Sequence, residues 1–368
     1  MEERSRRIAG LDLMKVLGLY LVVLYHMTFR QAPEVLPHGL RTMALYFPVP
    51  LLSICVPLFF LSSGALSLTR PLDLRKTVFR ALHLTVLLLI WTGVSLFAVL
   101  AIRGERVSFG EFVAIASEMR IGYIQHLWYL PTFIFLTLFL PVLHALKHQA
   151  RKIYRYLFVL LAIFTFGNSL LNDIEYFVRW RLGLYMGDER QFFWFINFFR
   201  YHFWYSMCYL ILGGALLEHR DQLPDRRWAF LTVPVCILML FLFGVARSRC
   251  TGEFFDPAFY NYDDPFTLIL ALTAAVLLIN LQPGPTGSRI AASISNCSLG
   301  IYLVHWLIIE VLMTHLPRLT GSIIGAPLAA LPVLLLSWGV TWLCLKIPVL
   351  RNLFTANPSW LRTLKKTS

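Results

Sequence analysis

Lys15 and His26 lie eleven residues apart in one apolar stretch that runs from Ile8 to His26. On a helix, eleven residues make three turns plus about 20°, so the two side chains share a face about 16 Å apart along the axis. Asp12 sits one turn before Lys15 on the same side. A neutral imidazole, with an ordinary pKa of ~6.5, can act as a general base, and an ammonium attracts anions. Each residue alone has a plainer explanation. Lys15 can snorkel with Asp12 as its partner, and His26 can be a packing histidine. Three ionisable groups on one face of an apolar segment are costly, and together they point to a site.

Further polar residues interrupt later apolar runs. His126, Trp128 and Tyr129 open one, Arg200 and His202 sit near the start of another, and His305 and Glu310 lie within a third. Trp128 and Tyr129 suit an aromatic belt at a membrane surface as well as stacking on a ligand. Arg200 and Glu310 can pair with each other, which would make Glu310 structural. Arg75, Lys76 and Arg80 cluster where a further apolar run begins; Lys76 and Arg80, at i and i+4, share a helix face and can hold phosphate. The same charges also serve as a topology signal. Cys55, Cys208, Cys236, Cys250, Cys297 and Cys344 are scattered, without a CxxC pair. They read as buried reduced thiols, and neither a metal nor a bound cofactor is expected.

The elements that must position these residues are membrane spans. Of 368 residues, 58% are hydrophobic and 14% charged, against about 25% charged in a soluble domain. The mean hydropathy is +0.66. Apolar runs near the ~20 residues a spanning helix needs recur along the chain. A soluble enzyme, a secreted disulfide scaffold and a disordered chain are excluded. Backbone groups in hydrocarbon must be satisfied internally, so the expected fold is an all-α polytopic membrane bundle. About ten spans are expected, near 8–29, 45–68, 81–102, 124–146, 153–171, 193–217, 228–246, 266–281, 291–313 and 323–345. The first is too long and lacks the cleavage site of a signal peptide. No soluble domain or repeat stands out, so residues 1–368 read as a single membrane unit.

The net charge is +13, but no contiguous basic domain carries it and nucleic acid is not an expected partner. With both termini placed in the cytoplasm, cytoplasmic segments hold 20 of the 33 Lys and Arg residues. The excess of basic residues therefore reads as a positive-inside signal, with attraction to anionic membrane lipids.

Four stretches resemble the acyltransferase type 3 family. Leu11-Asp12-Leu13-Met14-Lys15 followed by His26 is similar to its first-helix signature, a basic residue and a histidine separated by ten residues. Val56-Pro57-Leu58-Phe59-Phe60-Leu61-Ser62-Ser63-Gly64 is similar to V-P-L-F-F-x-x-S-G, and His126-Leu127-Trp128-Tyr129-Leu130 to (H/P)-L-W-F-L. Ser298-Leu299-Gly300-Ile301-Tyr302-Leu303-Val304-His305 is similar to S-L-G-I-Y-L-x-H. The four occur in order along most of the chain. Where that family carries R-x-x-R at the start of its third helix, this chain has Arg75-Lys76-Thr77-Val78-Phe79-Arg80 instead.

The resemblance implies a multi-pass O-acyltransferase of the cell (inner or plasma) membrane. Such enzymes move an acyl group, often acetyl, from cytoplasmic acyl-CoA as co-substrate to a hydroxyl of a sugar or lipid-linked glycan. It implies His26 as general base with His305 as a second catalytic candidate, and Lys15, Arg75, Lys76 and Arg80 toward the polyanionic donor. Asp12, His126, Trp128, Arg200 and Glu310 are then candidates to line the site or meet the acceptor. A secondary transporter or exporter of a surface-glycan intermediate is the rival reading, and it predicts repeated halves with paired broken helices. A membrane sensor or scaffold would have no use for the Lys15–His26 stripe.

Overall fold

Runs of Leu, Val, Ile and Phe between short polar clusters fold as helices throughout, and no strand occurs among the described residues. The computed structural model describes residues 7–29, 40–184, 204–252, 255–256, 258, 261–316, 325–358 and 360–361. Its α-helices are α1 (Ala9–Phe29), α2 (Leu40–Tyr46), α3 (Cys55–Ser67), α4 (Leu74–Arg103), α5 (Phe109–Glu118), α6 (Tyr129–Gln149), α7 (Arg151–Ala162) and α8 (Asn168–Arg181). They continue with α9 (Trp204–Glu218), α10 (Ala229–Thr251), α11 (Pro265–Ile279), α12 (Pro285–Asn296), α13 (Ser298–His315), α14 (Ala326–Lys346) and α15 (Pro348–Arg351). Among the described residues, eight helical stretches are long and apolar enough to cross a membrane, and α11 is a shorter apolar helix. The protein is an all-helical, multi-pass membrane protein. α9 is the described part of the expected sixth span, whose beginning, with Arg200 and His202, lies outside the described residues.

Several boundaries differ from the hydropathy reading, each for a local reason. The expected span 45–68 opens with a 3-10 turn over Val49–Ile54 before α3 starts, because Pro48 and Pro50 lack the N–H groups an α-helix would use. The expected span 153–171 runs on without a break, through a π-helical turn at Ile163–Gly167 and then α8, to Arg181. Ser169, Asn172 and Asp173 look like an exit from the membrane, yet they are buried against other helices. The expected span 291–313 is two helices. Its first six residues belong to α12, where Ser288, Ser293 and Ser295 alternate with Ile290, Ala291 and Ile294, and the helix breaks at Cys297. A hydropathy window averages across that one-residue break.

The chain forms two compact units, each assembled from two separated stretches: Met1–Arg70 with Gln149–Ser295, and Pro71–His148 with Asn296–Ser368. In the first unit α3 packs on α9 and on α1, and α10 packs on α8 and α11. The α3–α9 crossing is close because both helices present glycine. A Cβ on Gly64 would fall on the Leu210 carbonyl, and one on Gly213 would fall on the Leu61 carbonyl. Small residues that let backbones touch are a common means of holding helices together in lipid.

In the second unit Leu84, Leu87, Trp91, Leu100, Leu127, Leu303 and Phe354 form a continuous core. The segment after α14 is tied to α4 by two polar contacts. Trp91 Nε1 donates to the Leu353 carbonyl at 2.9 Å, and His83 Nε2 lies 2.9 Å from the Thr355 carbonyl. All six cysteines are free thiols and five of them are buried.

Candidate functional site

The second unit brings His126 and His305 together. His126 sits in a 3-10 turn, Gln125–Trp128, that leads into α6, and His305 lies in the middle of α13. Each is 1% exposed, and their rings meet edge to face with centroids 5.8 Å apart. The His126 ring also stacks on the Trp306 indole at 5.1 Å and 12°. Tyr302 lies within 6.2 Å of both rings, and its hydroxyl donates to the His126 carbonyl at 2.6 Å. That bond fixes the turn against α13. His305 Nδ1 is 3.2 Å from the Ile301 carbonyl. A carbonyl only accepts, so the neutral ring carries its hydrogen on Nδ1 and keeps its lone pair on Nε2, the arrangement a proton acceptor needs.

Aromatic contacts link this pair to Arg80. Tyr129 packs edge-on against Tyr302 at 5.6 Å and stacks on Phe133 at 5.8 Å. The Arg80 guanidinium lies 5.5 Å from the Phe133 ring centre. Arg80 Nε is buried and makes no hydrogen bond among the described residues. The three residues of the basic cluster expected from sequence have different neighbours. Lys76 Nζ returns to Asp73 at 3.4 Å, Arg75 lies over Phe79, and only Arg80 faces the aromatic row. Asp73 caps α4 by accepting from Lys76 N–H. That bond, with the Lys76 ammonium beside it, lowers the Asp73 carboxyl pKa from its usual value.

The Glu310 carboxylate accepts from Arg103 Nε at 2.6 Å; Arg200, the partner the sequence offered, lies outside the described residues. Arg103 also donates through Nη2 to the Gly122 carbonyl at 2.7 Å and lies over the Tyr123 ring. One guanidinium thus holds α13 and the loop just before His126. Arg103 ends α4, immediately before the Gly104 cap, and in sequence it reads only as a boundary charge. Trp128 is half-buried and edge-on to Tyr129.

Lys15 and His26 belong to the first unit. α1 is continuous across both, so the shared face and the three-turn spacing hold. Both are half-buried. The buried Asp12 carboxylate accepts two bonds from Arg7, at 2.6 and 2.8 Å, so its cation is Arg7. Beside His26, the Tyr25 ring packs edge-on at 4.9 Å. The Tyr25 hydroxyl donates to Asp256 at 2.6 Å, which ties the end of α1 to the segment after α10.

Sequence reasoning missed a buried ionic group in this unit. Arg247 pairs with Asp173, and Asp264, which caps α11 through Phe266 N–H at 2.6 Å, is fully buried beside them. Burial, and then the Asp173 carboxylate, push the Asp264 carboxyl well above the ordinary range. Burial raises Asp263 to about 6, partly opposed by Arg247. Hydropathy assigned 172–191 and 247–265 to loops, which hid both Asp173 and Arg247. No group of three or more His, Cys, Asp or Glu side chains arranged to hold a metal occurs among the described residues.

A family model described as an acyltransferase domain matches residues 8–342, nearly the whole chain. No curated protein and no solved structure matches.

Proposed function

This chain belongs to the acyltransferase family that its residues 8–342 match, and we propose that it moves an acyl group, acetyl foremost, from cytoplasmic acyl-CoA to a hydroxyl of a cell-surface carbohydrate or lipid-linked glycan. The observation that carries this reading is a single family match over the whole set of polar residues singled out within the spans. The cell membrane is the proposed location, with the donor on the cytoplasmic side, where the basic residues concentrate.

His26 is assigned as the base. Its imidazole takes the acceptor's hydroxyl proton while that oxygen attacks the thioester carbonyl carbon. The tetrahedral intermediate collapses, the carbon–sulfur bond breaks, and the imidazolium returns the proton to the leaving thiolate. The new ester and free coenzyme A are the products. Lys15, on the same face of α1, and Arg80 are assigned to the donor's anionic groups. His305, with Nε2 as its acceptor nitrogen, is the second candidate for proton transfer.

The test is transfer from labelled acetyl-CoA by purified protein to a panel of glycan precursors, with His26→Gln and His305→Gln alongside. Loss of a general base lowers the rate about 10²–10⁴-fold. Glutamine keeps size and hydrogen bonding but accepts no proton at neutral pH. Near-normal turnover by His26→Gln on a confirmed substrate would move the base assignment to His305. No transfer to any acceptor by wild-type protein would count against the donor and acceptor classes named here.

A further inference from the structure

The start of α1, the end of α9, the end of α11 and the start of α12 come together at one end of the first unit and line an open-sided cavity of about 330 Å³. Arg7, Gly10, Arg220, Gln282, Pro283 and Ser288 are among its lining residues, and no acidic residue lines it among the described residues. Arg7 is held by Asp12 and by the Ala292 carbonyl at 3.0 Å, which fixes where its charge sits. Arg220 follows α9, and its Nε donates to Asn280 Oδ1 at 2.7 Å, just beyond the end of α11. That one bond orients the guanidinium. Its two terminal nitrogens have no hydrogen bond or carboxylate among the described residues.

A guanidinium anchored by one nitrogen and open at its terminal pair presents the planar fork that matches phosphate oxygens. Ser288 lies in the first turn of α12, where the helix adds partial positive charge. The volume falls at the small end of ligand sites. It holds a phosphate with a few attached atoms, and its open side leaves the rest of a larger molecule outside.

We propose that this cavity is a binding site for a phosphate group, carried either by a nucleotide or by the headgroup of an anionic phospholipid. The site requires only the charge and shape around Arg220 and stands whether or not the acyl-transfer reading is correct.

The experiment measures binding, not turnover. Protein purified in detergent and stripped of lipid is titrated calorimetrically with adenosine 3′,5′-bisphosphate and with short-chain phosphatidylglycerol. Adenosine and short-chain phosphatidylcholine serve as controls. At least one of the two anionic probes is expected to bind, and Arg220→Gln is expected to weaken it about tenfold or more, as loss of charge-assisted hydrogen bonds does. The probe that responds identifies the source of the phosphate.

Ser288→Asp is the second variant. The change removes the bond the Ser288 hydroxyl donates to the Pro283 carbonyl at 2.9 Å, which a carboxylate in the first turn of a helix partly offsets; here it would also occupy Arg220 and repel an anion, so binding should fall far more than the unfolding temperature. If neither anionic probe binds wild-type protein, or if binding is equal in wild type and both variants, the site does not exist.

Discussion

Glu310, 3% exposed on its side chain and carried by the same helix as His305, is bonded to Arg103 at 2.6 Å across 207 residues of chain. The other arm of Arg103 holds the Gly122 carbonyl, four residues before His126. The pair therefore fixes both histidine-bearing segments of the second unit to the end of α4. Removing one partner of a buried ion pair strands the other and costs about 3 kcal/mol or more. Glu310→Met and Arg103→Met should each lower the unfolding temperature in detergent. The Glu310→Met/Arg103→Met double variant should lose less than the sum of the two singles, because neither charge is then stranded. Additive losses would mean that the pair is not coupled.

Arg80 differs from Arg75 and Lys76 in having a buried Nε that makes no hydrogen bond among the described residues and in facing the aromatic row that leads to His126. Arg80→Gln should raise KM for acyl-CoA about tenfold, the loss of a charge-assisted contact, and should affect kcat less, as loss of uniform binding does. Arg75→Gln, whose guanidinium rests on Phe79, should leave donor kinetics near wild type. Steady-state rates with varied donor decide this, and equal effects at the two positions would refute the distinction.

Gly64 and Gly213 each face a carbonyl of the opposite helix with no room for a Cβ. Gly64→Ala and Gly213→Ala should each destabilise the protein by about 1–3 kcal/mol, the usual cost of overpacking. Thermal unfolding in detergent measures the loss. A Gly64→Ala protein as stable as wild type would show that α3 and α9 are not in backbone contact. The glycine that ends the V-P-L-F-F-x-x-S-G resemblance is thus a packing residue.

Asp263 gives stability a pH dependence of known sign. Its carboxyl titrates at about 6 in the folded protein against 3.8 ordinarily. Between those values the native state holds a proton that the unfolded chain has lost. Stability therefore falls as pH rises through this window, and the contribution is flat above it. Asp263→Asn removes the titration. The difference in unfolding temperature between the variant and wild type should grow from pH 4 to pH 6 and then level off. A constant difference would mean that Asp263 keeps an ordinary carboxyl pKa.

Period and hydropathy are properties of neighbours along the chain, and they sufficed for everything local. The apolar runs determined an all-helical membrane protein, α1 carries Lys15 and His26 on one face as their spacing requires, and the four motif stretches identified the family. Arg75, Lys76 and Arg80 were legible as a cluster because they are adjacent.

What remained hidden depends on residues far apart in sequence. Arg103 meets Glu310, Tyr302 meets His126, and Arg247 meets Asp173 only because helices from separated stretches pack together. A hydropathy scale gives Asn172 and Asp173 the polarity of a loop, because it cannot know that Arg247, far along the chain, offsets the cost of burying the Asp173 carboxylate. For the same reason the Arg220 cavity has no signature in the sequence. It is bounded by the ends of four helices, and only their packing gathers Arg7, Arg220 and Ser288 around one open cavity.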